Sequence, residues 1–350
     1  VCVIGLGGSG LAAVLEARLL GARVIGIDAA RVAGAAAGRN GGLLLGGMAP
    51  FHHDVATTFG VPHATALYRH TLAELERMRA VSPEHCWWPG SLRIAQDAEE
   101  LADCERQLAR MQSDRLPVEW YRGEEGEGLL FPRDGACHPV RRVLALAHYA
   151  ELEGAQLAEH TRVAHIESGT VHLTNGARVL ASHILVCTDG ALASLIPSLA
   201  PRTRSVRLQM LATSPTRDVH IPRPVYARYG YDYWQQLADG RVLFGGGRDQ
   251  FEASEYTASD EPTEQLQRWM ETRLREATGT RADITHRWAA TVSFSHDDLP
   301  IAEQAAPGIW AAGSYSGTGN VVGALCARGI ARRALGHSDR FLDALDACRA

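Results

Sequence analysis

The sequence predicts an α/β fold that carries a second, α+β domain, on three observations. A strand, a glycine turn, a helix, a second strand and an acid follow one another within the first thirty residues. A second glycine turn opens another helix near residues 313–321. Between these ends the character changes twice, with helical patterns over 46–137 and strand patterns over 201–297. The 350 residues suit about two domains. With 46% apolar and 21% charged residues, disorder, collagen-like repeats and coiled coil are excluded as the main state. The net charge of −5 gives no reason to expect nucleic acid or an anionic membrane as partner. Apolar runs reach only about ten residues, too few to span a bilayer. Seven scattered cysteines without a CxxC pair suggest a reducing, cytoplasmic setting rather than a disulfide framework. Val1 already lies inside an apolar run, so native residues ahead of it are expected.

The first element is Val1–Ile4, an all-apolar run that fits a strand buried on both faces. Gly5-Leu6-Gly7-Gly8-Ser9-Gly10 follows, then Leu11, Leu15 and Leu19 at helical spacing. Arg23–Ile27 is the next strand and ends in Asp28. Gly5 permits the tight turn, Gly7 a close backbone approach to a pyrophosphate, and Gly10 close packing of helix on strand. The helix N-terminus offers free N–H groups to phosphates. Asp28, eighteen residues after Gly10, is placed to accept both hydroxyls of an adenosine ribose, and it repels a 2′-phosphate. These features predict a Rossmann-like dinucleotide site.

The next stretch bears on which dinucleotide. Arg31 and Ala-rich sequence lead to Gly38-Arg39-Asn40-Gly41-Gly42, a second small-residue loop where a nicotinamide enzyme usually starts another βα unit. Near the far end, the strand Gly308–Ala312 runs into Gly313-Ser314-Tyr315-Ser316-Gly317-Thr318-Gly319-Asn320 and a helix over 321–335. Such a helix end would stabilise negative charge developing on a reduced flavin.

Taken together, these segments resemble the FAD-dependent D-amino-acid oxidase superfamily, in the branch of glycine oxidase, sarcosine oxidase and γ-glutamylputrescine oxidase. The likeness also covers Arg133–Pro139, Thr161–Val163, Leu185–Gly190 and Arg287–Pro300, in family order over nearly the whole chain. The resemblance implies noncovalent FAD. It implies that Gly5, Gly7, Gly8, Ser9 and Gly10 hold the pyrophosphate and Asp28 the ribose. Arg31, Gly38, Arg39, Asn40, Gly41 and Gly42 would lie near the pyrophosphate and flavin. Val163 would meet the adenine through its backbone, and Thr188 and Gly190 would pass the ADP half. Gly313, Gly317, Thr318, Gly319 and Asn320 would lie along the flavin.

These anchors make the Rossmann-like FAD-binding domain discontinuous: 1–45, 138–200 and 298–350. The substrate domain takes 46–137 and 201–297. In it, helices are expected at 63–80 and 97–112 with a strand at 91–95 between them. An antiparallel sheet is expected from 207–212, 225–229, 233–237, 242–246 and 284–294, with a hairpin at Asp239-Gly240. A charged helix fits 261–277.

The implied reaction moves a hydride from a C–N bond of an amine or amino acid to flavin N5, and the imine then hydrolyses in water. No dedicated side-chain base stands out. Pocket candidates are Tyr229, Tyr231 and Tyr233, on one face if the strand stays regular with Tyr226 opposite, together with Tyr315. Arg228 and Arg248 are candidate carboxylate ligands. Two departures from the family matter. The stretch after Trp288, Ala289–Ser293, lacks the arginine that takes an amino-acid carboxylate in glycine-oxidase-like members. All 35 Lys-plus-Arg positions are arginine, so the lysine that activates oxygen in sarcosine-oxidase-like members is missing, and the acceptor is O2 or another electron acceptor. His52-His53-Asp54 is expected in a solvated loop and His296-Asp297-Asp298 in a turn. No metal is expected, because no Cys/His ligand spacing is present. Two other readings stay open: an NAD-dependent dehydrogenase, and a flavin-binding sensor or assembly subunit without turnover. Substrate identity and oligomeric state are not legible.

Overall fold

The computed structural model describes residues 1–81 and 83–350. Its first strand, Cys2–Ile4, pairs in parallel with Ile25–Ile27 on one side and Ile184–Val186 on the other. Burial on both faces is why this segment is an unbroken apolar run. The sheet has six strands, in the spatial order Ile301–Ala306, Ile309–Gly313, Ile184–Val186, Cys2–Ile4, Ile25–Ile27, Gln156–Ala158. Only the edge strand Ile301–Ala306 runs antiparallel to its neighbour. Three separate stretches of sequence therefore meet in one sheet.

Alternation along these strands feeds two cores. Val3 and Leu185 pack with the helices Gly8–Leu19, Pro139–Leu152 and Val322–Ala334 through Leu11, Val143 and Ile330. Cys2, Ile4, Ile184 and Val186 pack on the opposite face. There they meet a three-stranded antiparallel sheet, Val163–Glu167, Thr170–Leu173 and Arg178–Leu180.

The second sheet has eight strands, in the order Ile284–Ser295, Thr203–Thr213, Val242–Gly246, Asp232–Gln236, Val225–Ala227, Ser91–Ile94, Gly126–Phe131, Glu119–Gly123. The helix Glu264–Thr278 covers one face, burying Leu266, Met270 and Leu274 against Leu211, Val242 and Phe244. The other face, with Met210, Tyr233 and Trp288, turns toward the loops of the first sheet.

Three expectations need correction, and one element is new. The sheet is not wholly antiparallel, because Val225–Ala227 pairs in parallel with Ser91–Ile94. Those strands come from different inserts, so no hairpin sets their direction. The hairpin Glu119–Gly123/Gly126–Phe131 is an addition. The strand from Val225 stops at Ala227, since Arg228, Tyr229 and Gly230 take positive φ of 50°, 56° and 87°. Finally, His52–Phe59 is a helix, not a solvated loop. His52 is buried against Asp114 at 2.7 Å, and His53 reaches Asp103 at 3.0 Å. Asp54 in the first turn complements the helix dipole. Residues 296–299 form bends, as a turn requires. Among the described residues, no helix is long and apolar enough to cross a membrane.

Candidate functional site

The first glycine loop leaves a helix end open. Gly5 takes φ +97°, and a Cβ there would stand 2.6 Å from the Cys187 carbonyl oxygen. A Cβ on Gly10 would stand 1.8 Å from the Gly5 oxygen, so only glycine lets the helix pack on the loop. The first helical bond runs from Leu11 N–H to the Gly7 oxygen at 3.0 Å. The N–H groups of Gly8, Ser9 and Gly10 have no acceptor among the described residues, and no side chain caps the helix. Asp28 accepts Leu6 N–H at 2.7 Å and Ala30 N–H at 2.8 Å, which pins the loop to the strand end. The Asp28 carbonyl accepts Thr161 N–H at 2.6 Å, so the segment leading to Val163 runs beside this acid.

The remaining predicted segments converge on this loop. Ala37 lies 3.0 Å from the point where a Gly7 Cβ would stand. Asn40 bonds the Ala36 and Ala37 carbonyls and accepts Gly42 N–H. Asn320 donates to Asn40 Oδ1 at 3.1 Å and to the Leu43 carbonyl at 3.0 Å, which joins the 313–320 loop to the Gly38–Gly42 loop. Ser314, Ser316 and Gly317 all take positive φ, and Thr318 bonds the Tyr315 carbonyl before the helix Val322–Ala334 begins. Thr188 Oγ1 is buried without a partner. Gly190 lies so near Thr291 that a Cβ would stand 2.7 Å from its carbonyl oxygen. Between them, Asp189 accepts Ser293 N–H at 3.2 Å and Tyr315 N–H at 3.4 Å. Burial pushes its carboxyl up to about 6.

Two predicted basic residues sit apart from the open N–H groups of the first loop. Arg31 is exposed. The Arg39 guanidinium turns to Asp260 at 2.8 Å and to the Ala289 carbonyl at 3.1 Å. Its own carbonyl accepts the Trp288 indole N–H at 2.7 Å, and Gln235 donates to the Gly41 carbonyl. The eight-stranded sheet thus rests on the 39–42 loop.

The pocket candidates separate. Tyr229, Tyr231 and Tyr233 do not share a strand face, because the chain turns at Arg228–Gly230. Tyr226 is not opposite Tyr233; the two are register partners and so share a face. Tyr229 is 43% exposed and lies against Phe51. Tyr233 packs under Gly41 and Gly245, and burial pushes its hydroxyl up to about 12. The Tyr315 ring is core, packed against Gly319 and Gly323. Arg228 is occupied by Asp232 and Asp249. Arg248 is different. Its guanidinium lies 4.6 Å from the ring centroids of both Tyr231 and Phe294 and has no hydrogen bond or ion pair among the described residues.

Sequence reasoning missed Asp189, Gln235 and Arg142. Arg142 is buried on the apolar face of its helix, in step with Leu146 and Ala150. A charged residue at that spacing of four was the available signal. It also passed over His165, Glu167 and His172, whose ligand-type atoms lie within 4.8 Å of one another on the outer hairpin. No ligand spacing along the chain reveals a grouping made across two strands.

Comparison with known proteins gives a consistent result. The family model described as DAO, FAD dependent oxidoreductase, matches residues 1–333. The chain is 27% identical over 364 residues to the probable oxidoreductase OrdL of Rhizobium meliloti (strain 1021), covering 97% of this chain and 83% of that one. It is 25% identical over 370 residues to the gamma-glutamylputrescine oxidoreductase of Escherichia coli (strain K12), covering 97% and 84%. The glycine oxidase of Geobacillus kaustophilus superposes with a TM-score of 0.80 at 17% identity, over 96% of this chain and 94% of that one. The L-proline dehydrogenase from P. horikoshii superposes with a TM-score of 0.78 at 19% identity, over 95% and 91%.

Proposed function

The chain belongs to the FAD dependent oxidoreductase family, and on that premise we propose that it oxidises the C–N bond of an amine that carries a carboxylate. The residues fit the cofactor. The open N–H groups of Gly8, Ser9 and Gly10 suit a pyrophosphate, and Asp28 keeps lone pairs for ribose hydroxyls. The orphaned Thr188 hydroxyl suits the ADP half, and the loop joined by Asn40 and Asn320 suits the flavin. FAD, when bound, supplies the acceptor for two electrons and a hydride. The start of the helix Val322–Ala334 would favour negative charge nearby. We read the cofactor as noncovalent, since Cys187 and Cys326 are buried and burial pushes Cys187 up to about 12. A thiol kept protonated is a poor nucleophile.

The observation that carries the substrate reading is Arg248. An arginine between two aromatic rings, with no acid of its own among the described residues, is set to take a carboxylate bidentately. Tyr231 and Phe294 would hold its fork in place and keep water from that side. Arg228 cannot share this role while Asp232 and Asp249 neutralise it. The relatives named for γ-glutamylputrescine, glycine and proline support an amine or amino-acid substrate. The imine leaves to hydrolyse in water, so no side-chain base is assigned.

The test is the visible spectrum under nitrogen while amines with and without a carboxylate are added. Bleaching by the carboxylated class is expected, and admitting air separates oxidase from dehydrogenase by the rate at which colour returns. Arg248→Met should raise KM for the carboxylated amine about 30-fold or more, the equivalent of about 2 kcal/mol, with little change for its decarboxylated analogue. Equal effects on both would remove Arg248 as the carboxylate ligand. A spectrum that no amine changes would remove amine oxidation itself.

A further inference from the structure

We propose that Arg142 is a phosphate ligand, completing an anion site at the start of the first helix, and that the anion it takes is the pyrophosphate of the bound dinucleotide. The inference rests on the FAD reading above and adds a residue to it.

Three arginines are buried among the described residues: Arg93, Arg142 and Arg207. Arg93 is met by Asp103 at 2.7 Å and Gln107 at 2.5 Å. Arg207 is met by Glu255 at 2.7 Å and 2.9 Å. Arg142 is 4% exposed, has no ion pair or side-chain hydrogen bond among the described residues, and its Nε is buried without an acceptor. A guanidinium taken out of water without an anion is strongly unfavourable. An oxyanion bound there would remove that penalty.

The space it faces borders the uncapped start of the first helix. Arg142 Nη1 lies 3.6 Å from the point where a Cβ on Gly8 would stand. Gly8 opens a helix whose first N–H groups are unpaired and whose first turn holds no acid. Helix end and guanidinium therefore direct positive charge toward one place. Gly8 and Arg142 line one cavity of about 250 Å³. Two other cations on its walls, Arg77 and Arg328, are matched by Glu16 and Glu74. Arg39, the basic residue that the loop sequence offered for this task, is turned to Asp260.

The experiment compares wild type with Arg142→Met and Arg142→Lys. Flavin is stripped, and FAD, ADP and adenosine are titrated into each apoprotein by calorimetry, with thermal melts alongside. For Arg142→Met, FAD and ADP should bind at least tenfold more weakly, while adenosine binding stays the same. Its apoprotein should melt no lower than wild type, because an unpaired buried charge has been removed. Arg142→Lys should recover part of the loss. Unchanged FAD and ADP affinities, or an equal loss for adenosine, would overturn the assignment. So would inorganic phosphate that binds the FAD-loaded wild type through Arg142, since the anion would then be a separate one. Wild-type apoprotein that binds no FAD would instead bring down the cofactor reading, and this assignment with it.

Discussion

Asp134 is an acid with neutral partners only. Its carboxyl accepts the Ser91 hydroxyl at 2.7 Å and Gly46 N–H at 2.8 Å, and complete burial pushes it up to about 7. Asp189 repeats the pattern with two backbone N–H groups and is pushed up to about 6. For both, the folded-state pKa lies above the unfolded one. The folded protein then holds a proton that the unfolded chain gives up, and this stability is full below about pH 4. It is lost as pH rises through 6 for Asp189 and through 7 for Asp134. Asn at position 134 keeps the carbonyl for Gly46 N–H and offers its amide to the Ser91 oxygen. Asp134→Asn should therefore gain on wild type by a few kcal/mol between pH 5 and 8, as read from urea melts across that range. Carboxylates held low by arginines and histidines, such as Asp103 and Asp114, titrate alike in both proteins and cancel in the difference. Parallel stability curves for the two proteins would show that Asp134 ionises freely in the fold.

At the scale of elements, the first loop works only while Gly10 lacks a side chain. A Cβ 1.8 Å from the Gly5 oxygen must push the helix Gly8–Leu19 away from the strand that aims it. Gly10→Ala should lose about 2 kcal/mol or more of stability and purify without flavin, which absorbance of the pure protein and a denaturant melt would check together. A flavin-loaded variant of normal stability would mean that the loop tolerates the shift. This loop was legible because glycine spacing, a buried strand and Asp28 reinforce one another within thirty residues. The hairpin 119–131 was not, because Glu119, Glu124, Glu125 and Glu127 mask the alternation of an edge strand. The tyrosine stretch misled for another reason. Tyr229, Tyr231 and Tyr233 have strand spacing, but Arg228 and Tyr229 enter the left-handed region, and Arg228 closes back on Asp232. Arginine identity was equally silent. With every non-histidine base an arginine, only the partners distinguish engaged Arg39 and Arg228 from Arg142 and Arg248.

At the scale of the molecule, two sheets built from five stretches of chain meet through a few polar contacts. Trp288 and Gln235 of the eight-stranded sheet bond the 39–42 loop, and Asp189 bonds Ser293 and Tyr315. Asn320 links the 313–320 loop to the 39–42 loop and Leu43. A dinucleotide held by Gly8–Gly10, Asp28 and the 313–320 loop would tie these segments together, so its loss should loosen both sheets at once. With free FAD at about 1,000 times Kd, linkage adds about 4 kcal/mol. For a chain of this size that is a rise of about 5 °C in Tm. Flavin fluorescence released on heating should appear at the same temperature as the tryptophan signal of unfolding, since the 39–42 and 313–320 loops around the cofactor are bonded to the eight-stranded sheet and open only when the two sheets part. Release well below the protein transition would mean that the flavin is held by one sheet alone, and the contacts through Trp288, Gln235 and Asp189 would then serve packing rather than cofactor retention.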